Sequence, residues 1–123
     1  MNLKSVFRID AVISLLNGLG LLFATTTFVE MANFTATESL VTFGQFVGVT
    51  FLFLAILLWR TPDIAGEAIA ALGKLWALGH AMWFVIIGFH ILTGAAGGAT
   101  AYVNIIITGI LGILYLTASK KSD

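Results

Sequence analysis

The chain of 123 residues is 59% hydrophobic and only 10% charged, and its mean hydropathy is +1.05. A soluble domain is about 45 to 50% apolar and about 25% charged, so this composition excludes an ordinary water-exposed surface and favours a membrane protein. Six basic residues balance six acidic ones, which indicates no nucleic-acid partner, and the absence of cysteine excludes structural disulfides and thiol redox relays.

Four apolar stretches predict four transmembrane helices. They cover residues 9–29, 40–59, 75–92 and 102–118, and each is close to the roughly 20 residues that a helix needs to cross about 30 Å of hydrocarbon. The stretches are continuously apolar, whereas a barrel strand alternates over about ten residues. We therefore predict an all-α fold, in which residues 1–123 form a single integral membrane domain: a four-transmembrane-helix bundle with short loops.

The basic residues predict the orientation of the chain. They precede the first span, lie between the second and third spans, and follow the fourth: Lys4, Arg8, Arg60, Lys74, Lys120 and Lys121. Since basic loops remain in the cytoplasm, both termini should be cytoplasmic, and we expect a bacterial inner or intracytoplasmic membrane. Pro62, early in the connection between the second and third spans, is expected near the start of the third helix.

The first span contains two polar side chains with different expected roles. Asp10 lies near its cytoplasmic entry and could be a site acid, but the favoured interpretation is a structural ion pair with a basic residue of that side: Arg8, Arg60 or Lys74. Asn17 lies about 10 Å deeper, at a depth similar to that of His80 on the third span. An amide or imidazole without a partner in hydrocarbon is costly, so we predict that Asn17 and His80 face the bundle interior and hydrogen-bond to each other.

Small residues mark two helix faces that should contact protein. Gly44 and Gly48 form a G-x-x-x-G pair on the second span, which favours close helix packing inside the chain or between protomers. Asn104, Thr108 and Gly112 recur at every fourth position of the fourth span and therefore share one face. This small, polar stripe should face protein and not lipid.

The two histidines both lie on the third span. His80 and His90 are about 80° apart around the helix and about 15 Å apart along it, so they cannot both ligate one metal ion or one haem. Either could instead serve as an axial haem ligand with a partner from another subunit, bind a quinone, or simply hydrogen-bond to a neighbouring helix. His90 is at a depth similar to Gln45 and Asn104, and these three residues predict an outer polar pocket.

Aromatic residues lie near the ends of the spans, where amphipathic rings prefer the headgroup level. They are Trp59, Trp76, Tyr102 and Tyr115. We interpret them as aromatic belts.

The length of the chain, the Arg8-x-Asp10 entry to the first span and the four short-looped spans resemble a broad set of small bacterial four-helix membrane proteins that includes the DoxX-like group. The resemblance implies the four-helix architecture. It assigns no functional residue.

The sequence contains no catalytic motif and predicts no metal site, so the leading hypothesis is a non-enzymatic accessory or scaffold subunit. Its partners would be membrane lipid and either other subunits of a respiratory or photosynthetic type of assembly or further copies of itself. The alternative is a lipid, quinone or haem bound between the helices, through Asn17 and His80 or through Gln45, His90 and Asn104. Transport or channel activity ranks lowest, because no line of intramembrane charge marks a path.

Overall fold

A computed structural model describes residues 1–122, and this part of the chain is helical and contains no strand. The helices are α1 (Leu3–Phe23), α2 (Thr25–Glu30), α3 (Glu38–Ile64), α4 (Ile69–Leu92) and α5 (Gly98–Ser122), with a 3₁₀ turn at Gly66–Ala68 before α4. Within residues 1–122, four helices are long and apolar enough to cross a membrane: α1, α3, α5, and α4 together with its 3₁₀ turn. The predictions of an all-α chain and of four membrane-length helices are confirmed.

The ends of the helices differ from the ends of the predicted spans, because local capping hydrogen bonds determine where a helix begins. Asn2 accepts a hydrogen bond from the amide of Ser5 at 2.8 Å, so α1 begins well before residue 9. The first predicted span also breaks at Ala24, after which the short helix α2 follows. Thr37 caps α3 through the amide of Leu40 at 3.2 Å.

Pro62 was expected at the start of the third long helix, and this expectation is wrong. It lies inside the last turn of α3, which continues to Ile64. Proline lacks an amide hydrogen, so position 62 gives no helical hydrogen bond to the carbonyl of Leu58 four residues earlier. The hydroxyl of Thr61 also donates to the carbonyl of Leu57 at 2.7 Å in this turn.

The bundle consists of two antiparallel helix pairs, α1 with α3 and α4 with α5. In the first pair the backbones approach closely at Gly48, where a Cβ atom would lie 2.8 Å from the amide nitrogen of Leu22 and 3.1 Å from the carbonyl oxygen of Gly18. A Cβ at Gly44 would meet the methyl group of Thr25 at 2.6 Å. The G-x-x-x-G face of α3 is therefore packed against α1 and α2 of the same chain.

The two pairs meet mainly through α1 and α5, and the tightly packed core lies at this contact. Val6, Phe7, Leu58 and Tyr115 are completely buried there. This core lies at the end of the bundle to which the basic residues belong, since α1 and α4 begin there and α3 and α5 end there.

The loops at the opposite end hold each other through their backbones. The amides of Gly97 and Thr100 donate to the carbonyls of Ala32 and Met31 at 3.1 and 3.2 Å. Gly98 has φ +64, and a Cβ at this position would lie 2.3 Å from the carbonyl oxygen of Met31, so only glycine fits. This contact lets α5 begin at Gly98, one turn before the predicted span.

Candidate functional site

An interhelical cavity lies between the two helix pairs and has a volume of about 420 Å³. Apolar and aromatic side chains form most of its wall, among them Phe28, Phe51, Trp76, Trp83 and Leu111. Its polar lining residues lie on α1, on α4 and on the first half of α5: Asp10, Ser14, Asn17, His80, His90, Thr100, Asn104 and Thr108. The cavity is thus an apolar chamber with a few convergent polar groups, which is the usual form of a small-molecule site.

A buried carboxylate marks the end of the cavity nearest the basic residues. Asp10 is only 3% exposed, and its Oδ2 atom is 2.9 Å from Nε2 of His80 and 2.8 Å from the hydroxyl of Tyr115. The hydroxyl of Tyr115 donates to the carboxylate. These three side chains, which we call the Asp10 cluster, connect α1, α4 and α5.

The hydrogen on the His80 ring is placed by this network. Because Nε2 faces a carboxylate oxygen, it carries a hydrogen and donates. The other ring nitrogen, Nδ1, is buried and has no partner among residues 1–122. Asp10 therefore orients the imidazole and leaves it with one unused nitrogen.

Aromatic rings pack against Tyr115 and His80 of the Asp10 cluster. The ring of Tyr115 meets Phe7 edge-to-face at 5.0 Å and stacks on the imidazole of His80 at 5.6 Å and on Trp76 at 6.4 Å. A low-polarity shell of this kind strengthens each hydrogen bond inside it. Tyr115, interpreted from sequence as part of an aromatic belt, is instead completely buried, and that interpretation is wrong.

Helix α1 presents a polar stripe to the cavity. Asp10, Ser14 and Asn17 follow at intervals of four and three residues and so lie on one helix face, and all three line the cavity. Ser14 is 6% exposed. Across residues 1–122, neither the Ser14 hydroxyl nor the Asn17 amide has a hydrogen-bond partner, so both retain unused capacity. Ser14 was missed at the sequence level because a serine in a span usually bonds to its own helix backbone.

The predicted hydrogen bond between Asn17 and His80 is wrong. Both side chains line the cavity, as an inward orientation requires, but Nε2 of His80 is bonded to Asp10. The expected ion pair between Asp10 and Arg8, the nearest of the three basic candidates, is also wrong. Nη2 of Arg8 donates to both carboxylate oxygens of Asp63 at 2.9 Å each.

Arg8 and Asp63 form an ion pair that closes the α1–α3 pair outside the cavity. The guanidinium carbon of Arg8 lies 4.2 Å from the ring centre of Trp59, a cation–π distance. Lys4 approaches Asp63 at 3.5 Å. Arg8 thus binds side chains of α3, whereas Asp10 faces the bundle interior.

The outer polar pocket predicted from Gln45, His90 and Asn104 is only partly assembled. His90 and Asn104 line the cavity, whereas Gln45 is exposed and does not. The Asn104 amide nitrogen donates to the carbonyl of Thr100 at 2.7 Å, and the Thr108 hydroxyl bonds to the carbonyl of Ile105. The stripe of Asn104, Thr108 and Gly112 faces the cavity and α4, where a Cβ at Gly112 would lie 3.4 Å from Cβ of His80.

Metal and haem ligation find little support in this geometry. Residues 1–122 contain no group of three or more His, Asp or Glu side chains placed to hold a metal ion. His80 would have to give up its bond to Asp10 to offer Nε2 to haem iron, and its Nδ1 is sealed by protein. At His80 the site therefore fits a molecule held by hydrogen bonds and apolar contact better than it fits haem.

No family model matches the chain, and no curated protein or solved structure matches it either.

Proposed function

We propose that this protein binds a small molecule with a hydrocarbon body and a hydrogen-bonding head, of the quinone or lipid class, in the cavity between its two helix pairs. The observation that carries the proposal is the pairing of an apolar chamber of about 420 Å³ with two polar side chains on its wall, Ser14 and Asn17, that have no hydrogen-bond partner among residues 1–122. Ligand pockets span roughly 300 to 1,000 Å³. An apolar body would fill the aromatic-lined part, and the head would reach the Asp10 cluster and Ser14.

Polar groups without hydrogen-bond partners define where the head of the ligand would bind. A buried hydroxyl or amide without a hydrogen bond costs roughly 1 to 3 kcal/mol, so such groups are normally paired with protein, water or ligand. Ser14 and Asn17 lie on the cavity wall within two turns of Asp10. A ligand head at this end would satisfy them without disturbing any hydrogen bond within the protein.

The glycine faces that suggested association are used inside the chain. Gly44 and Gly48 pack against α1 and α2, and Gly112 faces His80 of α4. This removes the small-residue argument for a scaffold subunit or a self-associating bundle. Membership of a larger respiratory or photosynthetic type of assembly stays a prediction without a specific contact surface to support it.

We infer from the same chemistry how the protein lies in its membrane. All six basic residues belong to the end of the bundle that holds the Asp10 cluster. The excess of basic residues in cytoplasmic segments makes this the cytoplasmic end, with both termini inside. The head of the ligand would then lie towards the cytoplasmic side of the bilayer, in a bacterial inner or intracytoplasmic membrane.

The test is to purify the protein in mild detergent, extract it with organic solvent and identify the extract by mass spectrometry and absorbance. Gly79 lines the cavity, and a Cβ at this position has no neighbour within 4 Å, so we choose Gly79→Phe to add a ring at the cavity wall. Ala81→Phe, on the exposed face of the same helix, is the matched control.

We expect the wild type and Ala81→Phe each to carry one enriched molecule in a near-equimolar amount relative to protein. Gly79→Phe should lose this molecule. A quinone would show a redox-sensitive ultraviolet difference spectrum, whereas a lipid would show none. Bulk lipid alone in all three proteins, or equal retention of the molecule by Gly79→Phe, would refute the proposal. A Soret absorbance would replace it with haem binding.

A further inference from the structure

We propose that the head recognised by the Asp10 cluster is a hydrogen-bond donor, a hydroxyl or an amine, and not a group that only accepts. This inference rests on the proposed function and names the ligand class for the same site. It depends on which hydrogen-bonding atoms at this end of the cavity already have a partner within the protein and which remain free to bind a ligand.

The carboxylate of Asp10 is satisfied on one oxygen only. Oδ2 accepts from both His80 and Tyr115, at 2.9 and 2.8 Å. Oδ1 has no partner among residues 1–122, yet it is not among the sealed, partnerless atoms of this part of the chain, and Asp10 lines the cavity. The open oxygen of the cluster is therefore a carboxylate oxygen, and a carboxylate only accepts.

The neighbouring polar groups do not change this requirement. Ser14 and Asn17 each carry both donor and acceptor capacity and would adapt to either kind of head. Asp10 already accepts two hydrogen bonds through Oδ2, and as a carboxylate it offers the ligand only acceptor oxygens, so it decides. A ligand with only carbonyl or ether oxygens at this end would place lone pairs against the carboxylate, and an anionic head would add like-charge repulsion.

The Asp10 cluster also holds its acceptor in place. His80 comes from α4 and Tyr115 from α5, so Oδ2 is fixed from two helices, and the rings of Phe7 and Trp76 pack around Tyr115. A preorganised acceptor in a low-polarity site discriminates strongly between ligand heads that donate and heads that do not, because a polar group left unpaired there cannot form a hydrogen bond with water instead. Long-chain alcohols, long-chain amines and reduced quinols meet this requirement, whereas oxidised quinones and esters do not.

The experiment compares two probes that differ only in the head: a long-chain alcohol with a brominated tail and its methyl ether. The protein is placed in phosphatidylcholine nanodiscs, because the headgroup of this lipid carries no hydrogen-bond donor. Bromine in the cavity quenches Trp76 and Trp83, which line it. A Trp76→Phe, Trp83→Phe double variant retains Trp59, which does not line the cavity, and corrects for quenching from the bilayer.

We expect the wild type to bind the alcohol about ten- to a hundredfold more tightly than the ether, the range for one hydrogen bond to a charged acceptor. Asp10→Asn presents an amide that both donates and accepts, and should bring the two affinities close together. Ser14→Ala, which removes an adaptable partner, should weaken both probes and keep the preference for the alcohol.

The two proposals fail in different ways. If both probes quench the cavity tryptophans equally, or the ether binds better, the donor requirement is overturned and ligand binding in the cavity stands. If neither probe quenches beyond the corrected background, both proposals are overturned. The wild-type comparison decides the matter even if Asp10→Asn does not fold.

Discussion

Replacing Tyr115 by phenylalanine tests the buried Asp10 cluster with little other change. The substitution removes one hydroxyl, which donates to Asp10 at 2.8 Å, and keeps the ring contacts with Phe7 and His80. A hydrogen bond to a charged group contributes about 1.5 to 3 kcal/mol in water-soluble proteins, while bonds between membrane helices average about 0.6 and reach about 1.7 kcal/mol. Since Asp10 keeps the bond from His80, we expect Tyr115→Phe to lower the free energy of unfolding by about 1 to 2 kcal/mol.

The assay is equilibrium unfolding in mixed micelles as the fraction of dodecyl sulfate rises, followed by circular dichroism. Tyr102 is the matched control, because it is 54% exposed and has no hydrogen bond to another residue among 1–122. Tyr102→Phe should change stability by less than about 0.5 kcal/mol, as surface substitutions usually do. Equal losses in the two variants would show that both tyrosines serve as interfacial anchors and would refute the buried cluster.

Two further predictions concern the contacts between α1 and its neighbours. Gly48→Ala should lower stability by about 1 to 3 kcal/mol, as overpacking does, because its Cβ would lie 2.8 Å from the backbone nitrogen of Leu22. Gly79→Ala meets open space and should be neutral or stabilising in the same unfolding assay; a larger loss there than at Gly48 would contradict the α1–α3 packing. Arg8→Lys keeps the charge but loses the planar contact with Trp59, and it should lower stability only slightly, because Asp63 is exposed and water screens the ion pair. A double-mutant cycle with Asp63→Asn measures the coupling, and a cost that persists unchanged without the carboxylate would show that the ion pair contributes nothing.

The helices and their number were predictable because they depend on local chemistry. A continuous apolar run of about 20 residues has to form a helix in hydrocarbon, whatever its neighbours are. The errors fall at the ends, where one side chain decides the outcome. The cap at Asn2 extends α1 at its start, and the contact of Gly98 with the carbonyl of Met31 does the same for α5.

The partners of the polar residues were not predictable, because they depend on how the helices rotate against each other. Asp10 lies 70 residues from His80 and 105 residues from Tyr115 along the chain. Depth alone placed Asn17 beside His80 and placed Tyr115 at the headgroups, and both inferences failed because depth does not specify the facing direction. One signal was present in the sequence: Asp10, Ser14 and Asn17 repeat at helical spacing, which marks a single polar face.

The most direct test of ligand binding is a crystal structure of the protein, grown from phosphatidylcholine bicelles after purification from its membrane without added ligand. We predict continuous density in the cavity between the two helix pairs, with the head of the ligand within hydrogen-bonding distance of Oδ1 of Asp10 and its body between Trp76, Trp83 and Phe51. Collapse of these side chains into the cavity, or ordered water alone beside Asp10, would contradict it.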